Sequence, residues 1–291
     1  MDVRPADARL VEYVDLLGEL LPGERVAELE VREGQFHLVV LGADAVVCLP
    51  RTSAAGARLP MRAARLRVLG ELGLGVAVPE PLAVGADGRL PYLMLSRIPG
   101  APLDPGSVDG AVEDVARQCH DLLSALATAG GDPAIRAELP IAAPSRWAEF
   151  AADVRAELYP LMSADGRYRA DRELAALDLL STPAEAVVHG DLGGENLLWE
   201  TTEAGPVLRG VVDWDDVGIG DRAEDYAALA AGYGDEFLRA LLALADPKDE
   251  TLSARISTIR ATFALQQARA AFRDEDAAEL ADGLTGYRCL S

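Results

Sequence analysis

The stretch VVHGDLGGENLLWE, residues 187–200, gathers side chains able to handle a phosphoryl group. Two apolar residues lead into His189-Gly190-Asp191, a glycine pair precedes Asn196, and an apolar strand resumes at Leu197. A turn-rich segment from Thr201 to Pro206 then reverses the chain, and VLRGVV delivers Asp213 at the head of Asp213-Trp214-Asp215-Asp216. In such a hairpin Asn196 begins one strand and Asp213 ends its antiparallel partner, so their oxygens converge beside the loop that holds Asp191. Phosphoryl transfer needs this convergence, because a carboxylate must orient the acceptor hydroxyl while oxygen ligands hold Mg²⁺ against a triphosphate. The expected roles are Asp191 as acceptor of the hydroxyl proton, and Asn196 with Asp213 as ligands of Mg²⁺. Taken singly, each is also a common turn or capping residue. His189 is read as packing and positioning the loop, and Asp221 and Asp225 as acids suited to the positive end of a helix.

The elements that must position these groups fall into two parts. Residues 1–22 carry a helical pattern that Pro22-Gly23 stops, and three β-type runs follow, Val26 to Val31, Phe36 to Leu41 and Ala45 to Leu49. Pro60 to Leu74 predicts a helix, and strands are expected around Leu82 to Val84 and Tyr92 to Leu95, flanking Asp87-Gly88. Ile98-Pro99-Gly100-Ala101-Pro102 interrupts regular structure and places a lobe boundary, with residues 1–96 as a nucleotide lobe and 97–291 as a catalytic and acceptor lobe. Beyond it the chain predicts helices over 108–129, 145–162, 168–180, 221–245 and 251–272. The expected class is α+β.

Composition narrows the partners. A net charge of −21 over 291 residues argues against nucleic acid, whose recognition needs clustered lysine and arginine, and suits a cationic partner. No apolar run reaches the roughly 18 residues of a membrane span, and the N-terminus lacks a signal-peptide pattern, so a cytoplasmic protein without membrane contact is expected. Three scattered cysteines and three scattered histidines form no metal pattern, leaving oxygen ligands for any ion. Lys248 is the only lysine, which excludes any mechanism needing one elsewhere.

The ordered set His189-Gly190-Asp191, Asn196 and Asp213 resembles the signature of the aminoglycoside phosphotransferase family, which shares the two-lobed fold of protein kinases. The strings EGQFHLVV (33–40), VVCLPRT (46–52), YLMLSRIPGAPL (92–103), GVVDWDDVGIGD (210–221) and FALQQA (263–268) are similar to a branch of it that modifies tuberactinomycins. The resemblance implies a protein-kinase-like fold, with an antiparallel-sheet N-lobe and a mainly helical C-lobe. It further implies ATP- or GTP-dependent phosphorylation, with Mg²⁺, of a serine-derived hydroxyl on a cationic cyclic-peptide antibiotic such as viomycin or capreomycin, conferring resistance. The core motif alone leaves open an aminoglycoside or other small hydroxyl acceptor, and a non-catalytic nucleotide- or antibiotic-binding pseudokinase.

By the same resemblance, Gly34, Gln35 and Phe36 would cover the phosphates, and backbone groups of Ser96 and Ile98 would meet the purine edge. Asp215 and Asp216 would face the acceptor or form an exposed acidic loop. The nucleotide side departs from the family pattern. Cys48 stands where many relatives carry a lysine or arginine, and MRAARLRVL (61–69) offers Arg62 and Arg65 where an acid is usual. Arg51 is therefore the expected phosphate anchor, with Arg58, Arg62 and Arg65 in reserve. The alternative is that Mg²⁺ and backbone N–H groups suffice.

Overall fold

A computed structural model describes residues 7–34, 36–85, 90–108, 110–180, 183–245 and 249–288. The chain divides into two compact units, Met1–Ser107 with Glu195–Val217, and Val108–Gly194 with Gly218–Ser291. The hairpin region thus folds with the N-terminal residues although the sequence places it in the later lobe. The reason is local pairing, since Ala77 bridges to Gly210 and Ala101 to Trp199.

The first unit opens with a 3₁₀ turn, Ala8–Tyr13, and α1 (Val14–Leu20). Strands β1 (Glu30–Glu33), β2 (His37–Leu41) and β3 (Ala45–Pro50) follow, then α2 (Ser53–Gly70), β4 (Pro81–Gly85) and β5 (Tyr92–Ser96). The five strands form one antiparallel sheet in the order β1-β2-β3-β5-β4. Strand alternation sets its faces. Val40 pairs with Val47 and Leu38 with Leu49, and these four join Leu10, Leu17 and Leu21 in one buried cluster. Cys48, paired with Val39 and Leu93, lies on the opposite face.

Two expectations change here. Val26–Glu28 is a 3₁₀ turn, and pairing starts only at Glu30, because Val26 turns into the core instead of extending the sheet. Helix α2 begins at Ser53, ahead of Pro60, because the Thr52 hydroxyl caps it by accepting the Ala55 N–H at 3.1 Å. Pro60 sits inside on an exposed position, where its missing N–H and its ring disturb only the turn starting at Gly56.

In chain order there follow α3 (Pro105–Val108), α4 (Val112–Gly130), α5 (Pro133–Glu138), α6 (Arg146–Asp153), α7 (Ala164–Asp178) and β6 (Ala186–Val188). Next come β7 (Leu197–Thr202), β8 (Gly205–Val211), β9 (Gly218–Gly220), α8 (Ala223–Leu244), α9 (Leu252–Ala261), α10 (Phe263–Arg273) and α11 (Ala277–Gly283). Strands β7 and β8 pair with each other and belong to the first unit, whereas β6 pairs with β9 in the second. The expected helix over 251–272 is two, broken at buried Thr262, whose hydroxyl donates to the Ile259 carbonyl at 2.8 Å. Helix α8 is interrupted at Gly234, where φ is +88°. Among the described residues no helix is long and apolar enough to cross a membrane.

In the second unit α4 packs on α8 and β6, and Val115, Cys119, Leu122 and Leu126 are among its buried residues. A buried pair anchors the start of α8: Arg255 Nε donates to Asp221 Oδ2 at 2.8 Å, and Asp221 Oδ1 accepts the Ala223 N–H at 3.0 Å. Arg255 also meets Asp249 at 3.0 Å. Arg255→Ala strands the Asp221 carboxylate, so urea unfolding of that variant is expected to show a loss of about 3–5 kcal/mol.

Candidate functional site

In the first unit the β7–β8 hairpin sets the position of two expected metal ligands. Leu197 pairs with Val211 and Leu198 with Gly210, and past them the Val212 N–H donates to the Asn196 carbonyl at 3.0 Å. Asn196 and Asp213 therefore leave the hairpin at the same end. Asp213 has φ of +63°, a left-handed conformation that aspartate tolerates better than most residues, and such strain concentrates at functional sites. The next residue, Trp214, is buried and donates its indole N–H to the Val211 carbonyl at 2.9 Å, which fixes the turn. Gly210 is required, because a Cβ there would stand 2.7 Å from the Ala77 carbonyl and 2.6 Å from Ile98.

Helix α2 brings a cation to this loop. Arg62 Nε lies 2.5 Å from Asp215 Oδ1, its Nη2 is 3.7 Å from Asp213 Oδ1, and its Nη1 is 3.3 Å from His37 Nδ1. Burial pulls the His37 pKa down to about 4, helped by Arg62 and Arg58, so the ring is neutral near pH 7 and Nδ1 accepts from the guanidinium. Burial also raises the Asp215 and Asp216 carboxyls, with neighbouring Asp213 adding to the shift. Arg58, Arg62 and Arg65 line a cavity of about 110 Å³ together with Phe36, His37, Trp214, Asp215 and Asp216. Spacings of four and three residues put the three guanidinium stems on one helix face.

The described residues expected on the nucleotide side are placed as follows. Arg51 pairs with Glu33 at 2.9 Å and donates to the Gly34 carbonyl at 3.2 Å, and its own N–H bonds the Phe36 carbonyl at 2.9 Å. The Gly34 N–H donates to the His37 carbonyl at 2.9 Å, within its own turn. Gln35 lies outside the described residues, as do the Asp87-Gly88 turn and Lys248. Ser96 donates its N–H to the Glu80 carbonyl and accepts the Glu80 N–H on its hydroxyl, each at 2.8 Å. Ile98 is buried against Gly210. Past it, Gly100 (φ +117°) and Ala101 lie against β7, where Ala101 and Trp199 exchange backbone hydrogen bonds at 3.0 and 2.8 Å.

In the second unit β6 runs into the loop that bears Asp191. Gly190 takes φ of +88°, and the Asp191 N–H donates to His189 Nδ1 at 3.2 Å. The carboxylate of Asp225, in the first turn of α8, accepts the N–H of His189 at 2.9 Å and of Gly190 at 3.1 Å. Asp225 is buried, and desolvation outweighs both hydrogen bonds, pushing its pKa up to about 7. A helix-start acid is legible in GDRAEDYA; that its two oxygens reach back to residue 189 is not. Sequence reasoning gave Asp225 only a helix-start role, and it held Arg62 in reserve as a phosphate anchor and Asp215 for the acceptor or an exposed loop without foreseeing that the two pair.

No group of three or more His, Cys, Asp or Glu is placed to hold a metal among the described residues. Mg²⁺ does not need one, since it is commonly bound through one or two protein oxygens, waters and substrate phosphates. Asn196 and Asp213, brought together with the Asp213 side chain half exposed, fit that mode.

A model of the phosphotransferase enzyme family matches residues 30–255. Viomycin phosphotransferase of Streptomyces vinaceus is 57% identical over 286 residues, covering 96% of this chain and 100% of that protein. The GDP complex of wild-type aminoglycoside 2'-phosphotransferase-IIIa has a TM-score of 0.79 at 19% identity, over 96% of this chain and 97% of that one. Macrolide 2'-phosphotransferase type I has a TM-score of 0.73 at 22% identity, over 99% of this chain and 100% of that one. The structural likenesses establish the α+β fold expected from the sequence.

Asp225→Asn leaves one acceptor oxygen for two N–H donors, so amide exchange at residues 189–191 is expected to accelerate at least about tenfold, read by hydrogen-exchange mass spectrometry. The sign of the pH effect also follows. The folded carboxyl titrates at about 7 against 3.8 in the unfolded chain, so the native state binds the extra proton between those values. Its contribution to unfolding free energy therefore falls as pH rises from about 4 to 7, and urea titrations of the variant should lack that slope.

Proposed function

Because the chain belongs to the phosphotransferase enzyme family, we propose that it transfers the γ-phosphoryl group of ATP or GTP to a hydroxyl of a cationic tuberactinomycin such as viomycin or capreomycin, as a resistance enzyme. The observation that carries the substrate class is the 57% identity to viomycin phosphotransferase, which runs the full length of that relative. The chemistry of the site supports the same reaction.

Asp191 accepts the hydroxyl proton as the acceptor oxygen bonds phosphorus and the bond to the departing nucleoside diphosphate breaks. Its orientation rests on the loop that Asp225 ties down. Asn196 and Asp213 would hold Mg²⁺, which when bound neutralises charge on the phosphate oxygens. Gly34, Gln35 and Phe36, with backbone groups of Ser96 and Ile98, are assigned to the nucleotide. A serine-derived hydroxyl is the acceptor group assigned here. The net charge of −21 supports capture of a polycationic acceptor by long-range attraction.

Mass spectrometry of viomycin, capreomycin and a panel of aminoglycosides, each incubated with enzyme, Mg²⁺ and ATP or GTP, tests the proposal. One added phosphoryl group on a tuberactinomycin is expected, and modification of aminoglycosides alone would overturn the substrate class. Asp191→Ala should lower turnover by about 10² to 10⁴ with nucleotide affinity largely kept. Apparent acceptor affinity should fall as salt rises, since screening reaches about 10 Å at 0.1 M.

A further inference from the structure

We infer that Arg62 of α2 is the cation that grips the triphosphate and that Asp215 is the carboxylate that positions it, an assignment that rests on phosphoryl transfer being the reaction. Phosphate oxygens and protein oxygens share the coordination shell of Mg²⁺ at about 2.1 Å, so two ligands of one ion lie within about 4 Å of each other. If Asp213 holds the ion, the phosphates come that close to Asp213. Arg62 Nη2 already stands 3.7 Å from Asp213 Oδ1.

The fork is oriented by its other edges. Nε is ion-paired with Asp215, Nη1 donates to neutral His37, and Nη2 stands on the side of Asp213. Arg62 is only 15% exposed, whereas Arg51 is 44% exposed and turned to Glu33 and Gly34. The sheet makes room for the guanidinium. Cys48, small, buried and uncharged, lies against Arg62 on the face of β3 opposite the Leu10 cluster. A longer cationic side chain at Cys48 would compete for the same carboxylates. Base on the helix, acid on the loop and a thiol on the strand therefore form one complementary set. Asp215 then belongs to the nucleotide side and not to the acceptor.

Calorimetric titration with Mg²⁺ and non-hydrolysable ATP and GTP analogues tests the set. Arg62→Ala should weaken the nucleotide at least tenfold, about 1.4 kcal/mol, with viomycin affinity unchanged. Arg67→Ala, an exposed arginine of the same helix, should bind as wild type. Adding Cys48→Lys to Arg62→Ala should recover most of the loss, which a purely packing role for Arg62 would not allow. In steady-state kinetics Asp215→Asn should raise the nucleotide KM and leave the acceptor KM alone. Circular dichroism checks folding, and Arg62→Gln replaces Arg62→Ala if the latter does not fold. Wild-type nucleotide affinity in a folded Arg62 variant, loss with no recovery by the lysine, or an acceptor-only effect at Asp215 would each overturn the assignment. Failure of the wild-type protein to bind any Mg²⁺-nucleotide would overturn the phosphoryl-transfer reading instead.

Discussion

Leu197 pairs with Val211, and beyond that pair the Val212 N–H meets the Asn196 carbonyl, so the register of one short hairpin decides which side chains stand together. A slip of one residue in a strand moves every side chain to the other face, and here it would separate Asn196 from Asp213. The hairpin is held against slipping from outside. Gly210 admits the Ala77 backbone, Ala101 pairs with Trp199, and the Trp214 indole closes on Val211. Such support sustains the left-handed Asp213, a conformation that costs about 1–3 kcal/mol when unsupported.

Charge is arranged with equal economy. The loop after β8 carries Asp213, Asp215 and Asp216 within four residues, in a protein that is already strongly acidic. Burial raises two of these carboxyls, and one largely buried guanidinium, Arg62, lies against the group. In the second unit Asp225 shows the opposite solution. Its carboxylate accepts two backbone N–H groups, and burial pushes the carboxyl toward neutrality despite them.

Much of this was legible in the sequence because the signals are local. Alternating apolar runs mark β2, β3 and β5, and the order of Asp191, Asn196 and Asp213 points to the family to which the chain belongs. What escaped depends on distance along the chain. Thr52 capping α2 outweighs the breaking tendency of Pro60, so the helix starts earlier than the proline suggests. Asp225 reads as a helix-start acid because its partners lie thirty-six and thirty-five residues away. Arg62 is one arginine among several on its helix, and only the folded contact with Asp215 separates it from Arg58 and Arg65. Thr262 breaks a helix that Ala- and Leu-rich periodicity would continue, through a hydroxyl bond that periodicity does not encode.

The pairing of Ala101 with Trp199 also bears on how such a protein can be recombined. The residues assigned to nucleotide and metal occupy one compact unit assembled from two separate stretches of chain, Met1–Ser107 and Glu195–Val217. A single crossover after residue 107 would take the connector from one parent and the hairpin from the other, parting both sides of the 101–199 ladder and the Ala77 contact with Gly210. A chimera that keeps phosphate handling intact while exchanging the helical unit needs two further junctions, on either side of 195–217. The two stretches of the first unit must therefore come from one parent if these pairings are to be kept.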